Sequence, residues 1–350
     1  MNAEVVVPAD ITIREAMKKL SQTGEKALVV VEKDDRLLGT LSDGDLRKAI
    51  LRGVQVNEAI SKIYQRTPST LIEGEFNTAD AKRIFTENKF DLIPVVTAGG
   101  KLVDVLFWEH VFLVPKEKDP LPDGVSVVIM AGGKGTRLEP FTRVLPKPLI
   151  PVHEKPIIEH VIAQFLEYKA SKFITINYKA RILRAFFEEV APEFSLELVE
   201  EESPLGTIGA VGLVKTALTE PFFLTNCDIL VKANYLDLYN FHTSNGFAMT
   251  LVASTKNFSI PYGACQLNSE GDLEELHEKP EFDFLVNVGL YVINPELIEL
   301  IPENQSFDIT ELISLAKGLD NAKIGIFPID ESEWVDIGQW TEYQKAVERL

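Results

Sequence analysis

The sequence predicts an α/β fold, in which a doubly wound, mostly parallel sheet is preceded by a smaller α/β module. From Val125 onward, apolar strand-like runs alternate with helical patterns of about 10 to 15 residues, which is typical of βαβ units. Before Leu113, one order of elements occurs twice. Between these regions "VPKEKDPLPDG" (Val114 to Gly124) combines prolines with charges, so the predicted domains are residues 1–118 and 119–350.

The charge of the chain limits its partners. Lys and Arg number 35 against 53 Asp and Glu, a formal net charge of −18. Such a field repels polyanions, so we expect neither nucleic acid nor an anionic membrane surface as a partner. No apolar run approaches the roughly 18 residues of a membrane span, and the N-terminus lacks a signal-peptide pattern, so we expect a cytoplasmic protein. Cys227 and Cys265 lie in apolar runs without metal-ligand spacing, and we expect buried, reduced thiols.

The N-terminal region contains an internal repeat. Each copy, Ile11 to Leu51 and Phe76 to Phe112, has a helix, an apolar strand, a turn, a second strand and a helix. This arrangement resembles a tandem pair of CBS (cystathionine β-synthase) domains over roughly residues 1–115. The resemblance implies a regulatory module that pairs pseudo-symmetrically, often binds adenine nucleotides, and would make the chain a homo-oligomer.

The resemblance implies one nucleotide site in this module rather than two. In "LSDGDLR" the first copy offers Ser42 to a phosphate and Asp45 to ribose hydroxyls. The second copy has Leu106 and Glu109 at what we take as the matching positions, so it lacks the hydroxyl. The alternative is that Asp45 only caps a helix starting at Leu46, and that the module is structural or dimerising.

A cationic, glycine-rich loop follows the first strand of the larger region. "MAGGKGTRLEPFTRVLPKPLIPV" fails both the Walker A spacing and G-x-G-x-x-G, because Leu138 stands at the third glycine position. Glycines still let backbone N–H groups approach phosphate oxygens, although a plain glycine turn between strand and helix is the alternative. Prolines on both sides of Lys147 predict an extended, rigid segment that holds its ammonium. The candidate phosphate-binding residues are Ala131, Gly132, Gly133, Lys134, Gly135, Thr136 and Arg137.

The glycine loop and the Pro-Lys-Pro segment together resemble signatures of the nucleotidyltransferases that make NDP-sugars from an NTP and a sugar 1-phosphate. The match extends over about Val125 to Leu350. It implies a Rossmann-like, GT-A-type fold and a Mg²⁺ cofactor, with NTP and sugar 1-phosphate as substrates. We therefore expect Lys134 and Arg137 to bind the β and γ phosphates of the NTP.

Further roles follow from the same resemblance. Asp228, at the end of "FFLTNCD", and Asp336, in "EWVDIGQW", would ligate Mg²⁺, although an Asp after a strand is commonly a turn former or helix cap. Lys147 and Lys279 would neutralise the reacting phosphate. The small residues Gly206 and Thr207 would admit the base, and the residues implied for the sugar are Gly263, Glu278 and Asn287.

The nucleotide and the sugar are finer expectations. A CBS pair ahead of this transferase resembles the glucosamine-1-phosphate guanylyltransferases of legionaminic acid biosynthesis, which favours GTP and glucosamine or another hexose 1-phosphate. UTP and dTTP stay open. Two other classes remain as alternatives: a non-catalytic sensor of nucleotide sugars or adenylates on the same fold, and a Rossmann oxidoreductase.

Overall fold

The computed structural model of the chain describes residues 3–88, 90–112, 120–194, 196–320, 322–340 and 342–344. Residues 114–119 of the predicted linker lie outside this description. Within it, no helix is long and apolar enough to cross a membrane. The chain packs as two compact units. The first comprises Met1–Glu117, Ser254–Val286 and Pro328–Ser332, and the second comprises Lys118–Ala253, Asn287–Phe327 and Glu333–Leu350.

The first unit contains the predicted repeat as two three-stranded sheets of identical topology. In each copy the first strand runs parallel to the second, and the second pairs antiparallel with the third. The elements of the first copy are β1 (Val6–Pro8), α1 (Ile13–Thr23), β2 (Ala27–Val31), β3 (Leu37–Ser42) and α2 (Asp43–Leu51). Those of the second copy are β4 (Leu71–Ile72), α3 (Thr78–Asn88), β5 (Leu92–Val96), β6 (Leu102–Phe107) and α4 (Trp108–Phe112).

The two copies contact each other symmetrically at their β-turns. Leu37 N donates to Gly100 O at 3.0 Å, and Leu102 N donates to Asp35 O at 2.8 Å. These bonds flank an antiparallel bridge between Arg36 and Lys101. Because equivalent residues exchange equivalent bonds, the repeat has a local pseudo-twofold relationship.

The pairing of the strands corrects the predicted alignment of the copies. Ala27 pairs with Ser42 in the first copy, and Leu92 pairs with Phe107 in the second. Phe107, not Leu106, is therefore the counterpart of Ser42, and the same offset makes His110, not Glu109, the counterpart of Asp45. The error arose because an apolar run can be shifted by one residue without losing its pattern. The second copy still lacks the hydroxyl.

A seven-stranded sheet, most of which lies in the second unit, has the order β11-β10-β7-β12-β17-β14-β18. On one side of this sheet β11, β10, β7 and β12 are all parallel, and β17 then pairs antiparallel with β12. The predicted α/β fold is thus confirmed, with a mixed sheet. The strands of this sheet are β7 (Ser126–Met130), β10 (Ser171–Ile176), β11 (Leu196–Glu200), β12 (Phe222–Asn226), β14 (Met249–Ser259), β17 (Glu281–Ile293) and β18 (Ile324–Ile329).

Short ribbons and helices complete the chain. The ribbons are β8 (Pro151–Val152) with β9 (Lys155–Pro156), β13 (Ile229–Val231) with β19 (Trp334–Asp336), and β15 (Ala264–Leu267) with β16 (Leu273–His277). The helices are α5 (Ile157–Leu166), α6 (Ala180–Phe194), α7 (Tyr235–Ser244) and α8 (Ile309–Lys317). One expectation about the cysteines is wrong: Cys227 is buried, but Cys265 is exposed, because the β15–β16 ribbon has little core beneath it.

The topology places two candidate segments side by side. Strands β7 and β12 are parallel neighbours, with Met130 opposite Asn226. The segments that follow these two strands both leave the sheet at its carboxyl edge, where ligands of doubly wound folds bind. The glycine loop that follows Met130 and the aspartate that follows Asn226 and Cys227 therefore start from adjacent positions.

Candidate active site

The glycine loop is anchored to the sheet at its first residue and opens toward solvent. Ala131 is buried, and its N–H donates to Thr175 O at 3.0 Å. A Cβ on Gly133 would meet nothing within 4 Å. Lys134, Thr136 and Arg137 are exposed. Of the candidate phosphate-binding residues, these three and Gly133 therefore face open space, where an anion could approach both backbone and side chains.

Gly135 joins the loop to Lys147. Its φ of +66° favours glycine, and a Cβ there would lie 2.9 Å from both Lys147 Cβ and Thr142 Cγ2. Pro146 is extended, with φ −64° and ψ 146°, but Lys147 begins a 3-10 turn, Lys147–Leu149. The expectation of an extended Lys147 is therefore wrong. A tight turn, together with the close packing against Gly135, holds this lysine in place.

Lys147 forms an ion pair with Asp228, and both side chains are largely buried, at 19% and 10% exposure. Asp336 reaches the same point because β13 pairs with β19, with Ile229 opposite Asp336. Ile337 N donates to Asp228 O at 2.9 Å, which ties the two segments together. A Cβ on Gly338 would collide with the Asp228 and Asp336 carboxylates and lie 3.2 Å from Lys147 Nζ. The three predicted charged residues thus converge at a single point beside Gly338.

Burial and charge act against each other in this cluster. Burial is the largest single effect on the Lys147 ammonium and lowers its pKa, but the charge of Asp228, its hydrogen bond to the ammonium and the other neighbouring groups, including Asp336, together outweigh burial, and the pKa is raised. Burial raises the pKa of Asp336, although its bond from Gly338 N, at 2.7 Å, opposes that shift. Burial also raises the pKa of the neighbouring Cys227 thiol to about 12, so this sulfur is protonated at neutral pH.

The residues present fit a magnesium site that is completed by substrate. Among the described residues, no group of three or more His, Cys, Asp and Glu is placed to hold a metal ion. Mg²⁺ is usually held by one or two carboxylates, with phosphate oxygens and water as the other ligands. Asp228 and Asp336 supply such a pair, and Gly338 leaves the space next to them free of a side chain.

The segment expected to admit the base is braced against α8. A Cβ on Gly206, whose φ is +78°, would lie 2.7 Å from Phe307 O. Thr207 donates from its N–H and its hydroxyl to Asp308 Oδ1, both at 3.1 Å, and its hydroxyl accepts from Ile309 N at 2.8 Å. Packing and hydrogen bonds therefore explain both residues on structural grounds. Their predicted role in the nucleotide site would be an additional one.

The residues expected on the sugar side do not all fall in one unit. Asn287 belongs to the second unit, where its amide donates to Tyr291 Oη at 2.8 Å and accepts from Gly289 N at 3.0 Å. Gly263, Glu278 and Lys279 belong to the first unit. There, Glu278 Oε2 lies 3.1 Å from the position of a Cβ on Gly263, so these two residues adjoin. Lys279 is exposed, with a φ of +48°.

In the CBS-like module, Ser42 and Asp45 bind each other. Helix α2 begins at Asp43, Ser42 is its N-cap, and Asp45 accepts from Ser42 N at 3.0 Å and from Ser42 Oγ at 2.7 Å. Asp45 N donates back to Ser42 Oγ, which completes a capping box. The interpretation of Asp45 as the cap of a helix starting at Leu46 is therefore wrong, because Ser42 takes that position.

Sequence reasoning missed Glu201. This glutamate follows β11 and is 6% exposed, and its carboxylate packs against the Cα of Gly132. Its Oε2 accepts from Leu205 N at 3.0 Å, and burial raises its pKa. A Glu in the run "VEEES" has the appearance of a surface charge. The available signal was its position, because polar residues at the carboxyl end of a parallel strand lie at the ligand-binding edge.

Two family models match the chain. The model described as nucleotidyl transferase matches residues 126–350, and the CBS domain model matches residues 1–52. The second copy of the repeat lies outside residues 1–52, but its three strands pair in the same way as those of the first copy.

Curated relatives align with the C-terminal part. The chain is 30% identical over 233 residues to the probable mannose-1-phosphate guanylyltransferase 1 of Oryza sativa subsp. japonica, which covers 63% of each chain. It is 30% identical over 223 residues to the mannose-1-phosphate guanyltransferase 2 of Candida glabrata, covering 61% of each. The chain thus spans less than two thirds of the length of these relatives. The crystal structure of HddC from Yersinia pseudotuberculosis has a similar fold, with a TM-score of 0.50 and 23% identity over 64% of this chain and 99% of that one.

Proposed function

The chain belongs to the nucleotidyl transferase family, and on this premise we propose that it transfers a nucleoside monophosphate from an NTP to a sugar 1-phosphate. An oxygen of the sugar phosphate attacks the α-phosphorus in line. The bond from that phosphorus to the bridging oxygen breaks, and pyrophosphate leaves with this oxygen. The products are an NDP-sugar and pyrophosphate, with no enzyme-bound intermediate.

The convergence of Lys147, Asp228 and Asp336 beside Gly338 supports this proposal most strongly. Phosphoryl transfer is catalysed mainly by positioning and by charge stabilisation, so fixed opposite charges next to a phosphate-binding loop are what the reaction needs. A sensor that only binds a sugar nucleotide would not require a buried cation and two carboxylates at one point.

The proposed roles are those that the family resemblance implies, and the positions of the side chains support them. Exposed Lys134 and Arg137 bind the β and γ phosphates, and Lys147 neutralises the reacting phosphate. Asp228 and Asp336 would hold Mg²⁺, which supplies positive charge at the α-phosphate when bound. Because Asp228 starts beside the loop, nucleotide and metal would meet at the same edge of the sheet.

The proposed donor is GTP and the proposed acceptor is a hexose 1-phosphate. The names of the rice and Candida relatives specify guanylyl transfer to mannose 1-phosphate. The arrangement of a CBS module before the transferase favours glucosamine 1-phosphate, and with it a place in legionaminic acid biosynthesis. Both acceptors therefore belong in the first assay.

The test is pyrophosphate release by the full chain. Four NTPs would be combined with glucosamine, mannose and glucose 1-phosphates in the presence of Mg²⁺. We expect release with GTP and at least one hexose 1-phosphate, and none without acceptor. Cooperative unfolding on heating would show that the protein tested is folded. If such a protein released no pyrophosphate in any combination, the proposed transfer would be wrong and only a binding role would be left for this fold.

A further inference from the structure

The positive charge of Lys147 lies beside the two carboxylates, where a bound metal ion would have to lie. Its ammonium is paired with the Asp228 carboxylate, while the Asp336 carboxylate borders the same point beside Gly338. The two carboxylates expected to bind Mg²⁺ are thus already neutralised, in part, by a residue of the chain itself.

We propose that Lys147 is the resident counter-ion of the Asp228–Asp336 pair, and that this pair accepts a divalent cation only when nucleotide phosphates draw the Lys147 ammonium away. This inference rests on the proposed function and goes beyond it, because it makes the metal–nucleotide complex, and not the free metal, the form that the site accepts.

The buried environment provides the first reason. At 19% and 10% side-chain exposure, Lys147 and Asp228 are poorly screened by water, so a divalent cation placed next to this ammonium would be repelled strongly. Removing the lysine alone would leave the buried Asp228 carboxylate and the half-buried Asp336 carboxylate uncompensated, which is the condition under which a cation binds best.

The number of ligands provides the second reason. The described residues include no third His, Cys, Asp or Glu placed to complete a metal site here. A metal bound without nucleotide would therefore have two protein carboxylates, an adjacent ammonium and otherwise water, which is a weak site.

The geometry of the lysine provides the third reason. Its backbone is fixed by the 3-10 turn and by Gly135, against which its Cβ packs. Only the side chain is free to change partner. Gly135 belongs to the glycine loop, so a phosphate bound by that loop would lie near the stem of this lysine and would compete with Asp228 for its ammonium.

The experiment measures binding of Mn²⁺ alone to the full chain, without nucleotide, by electron paramagnetic resonance of the free ion. We expect the wild-type protein to bind Mn²⁺ at least 10-fold more weakly than Lys147→Met. In the double variant carrying Lys147→Met and Asp228→Asn, the gain should disappear. Lys215→Ala is the matched control, because it removes one exposed positive charge elsewhere and should leave Mn²⁺ binding unchanged.

Thermal unfolding gives a second readout that does not depend on activity. Mn²⁺ should raise the Tm of Lys147→Met and leave that of the wild type unchanged, since a ligand stabilises the state that binds it. Lys147→Gln replaces the methionine variant if the latter does not fold. Equal Mn²⁺ affinity in wild type and variant would overturn the proposal, whether both bind or neither does. A failed transferase assay with an intact Mn²⁺ gain would instead overturn the proposed function and leave this inference standing.

Discussion

At the scale of single residues, Asp228 is the side chain on which the proposed chemistry depends most. It is 7% exposed, it follows the central strand β12, and it pairs with Lys147. Most of its neighbours in the sequence are apolar, so nothing else in "FFLTNCDIL" could provide a charge there. A carboxylate in this position can organise both a metal ion and the lysine.

We expect Asp228→Asn to lower kcat about 10²- to 10³-fold, the usual loss when one preorganised charge-stabilising group is removed. The amide keeps the shape of the side chain but not its charge. The measurement is pyrophosphate release under saturating substrates. Asp320→Asn, at an exposed position, should match the wild type; near-normal turnover in Asp228→Asn would contradict the assigned role.

The environment of His242 leads to a prediction about the stability of the protein rather than about its activity. It is 1% exposed, with Nδ1 2.9 Å from Thr250 Oγ1 and Nε2 2.8 Å from Asn294 Oδ1. A neutral ring that donates from Nε2 and accepts at Nδ1 satisfies both partners. Burial lowers its pKa, against the opposing effect of the Asn294 bond.

Because the pKa of His242 is lower in the folded protein, the unfolded chain binds more protons below its own pKa of about 6.5. The free energy of unfolding should therefore fall as the pH drops below that value and be insensitive to His242 above it. Denaturant titrations between about pH 5 and pH 8 measure this. His242→Gln should flatten the slope, whereas the exposed His153→Gln should not. Parallel slopes for wild type and His242→Gln would refute the assignment.

At the scale of elements, the sequence predicted what depends on local pattern. The alternation of strands and helices, the repeat and the strand-end position of Asp228 follow from periodicity and turn residues, which act over a few positions. The capping box of Ser42 and Asp45 is likewise a local pattern, yet its helix starts three residues before the predicted Leu46. Boundaries of this kind depend on which side chain captures the free N–H groups.

Contacts between distant segments could not be predicted in this way. The pairing of Lys147 with Asp228 joins residues 81 positions apart, and the packing of Glu201 on Gly132 depends on two strands meeting at one edge. The turn at Lys147 also contradicted the expectation from its flanking prolines, because packing against Gly135 outweighed the local preference. Pattern suggests which residues are candidates, and tertiary packing decides which of them meet.

The glycine loop offers a matched pair of substitutions. A Cβ on Gly132 would collide with the Glu201 carboxylate, whereas one on Gly133 would meet nothing within 4 Å. We expect Gly132→Ala to destabilise the protein by about 1–3 kcal/mol through overpacking, and Gly133→Ala to change stability by less than about 1 kcal/mol. Denaturant unfolding of both variants measures the difference.

The same pair also separates folding from binding. If the open side of the loop receives phosphate, Gly133→Ala should fold normally and yet bind NTP more weakly, because its methyl group intrudes on the backbone N–H groups. Equal stability losses in the two variants would show that the environment of Gly132 is misassigned. Unchanged NTP affinity in Gly133→Ala would argue against phosphate binding on that side.

At the scale of the whole molecule, a CBS-like repeat and a domain of the nucleotidyl transferase family share one chain. We propose that an adenine nucleotide bound at Ser42 and Asp45 changes transferase activity, and that the repeat mediates assembly into a homo-oligomer. The second copy has Phe107 at the position of Ser42 and so offers no equivalent hydroxyl. One nucleotide per chain is therefore the expected stoichiometry.

Calorimetry of the full chain with AMP and ADP tests this, since neither can act as the NTP donor. We expect binding of one equivalent, at least 10-fold weaker in Asp45→Asn, because the neutral amide loses the charged acceptor for ribose hydroxyls. An amide oxygen can still accept from Ser42 N, so the capping box and the Tm should be nearly retained. Exposed Asp10→Asn is the control for lost charge. If the intact chain releases no heat with either nucleotide, the capping box is the whole role of Ser42 and Asp45; if it binds but turnover with GTP is unaltered, the site exists without the regulation.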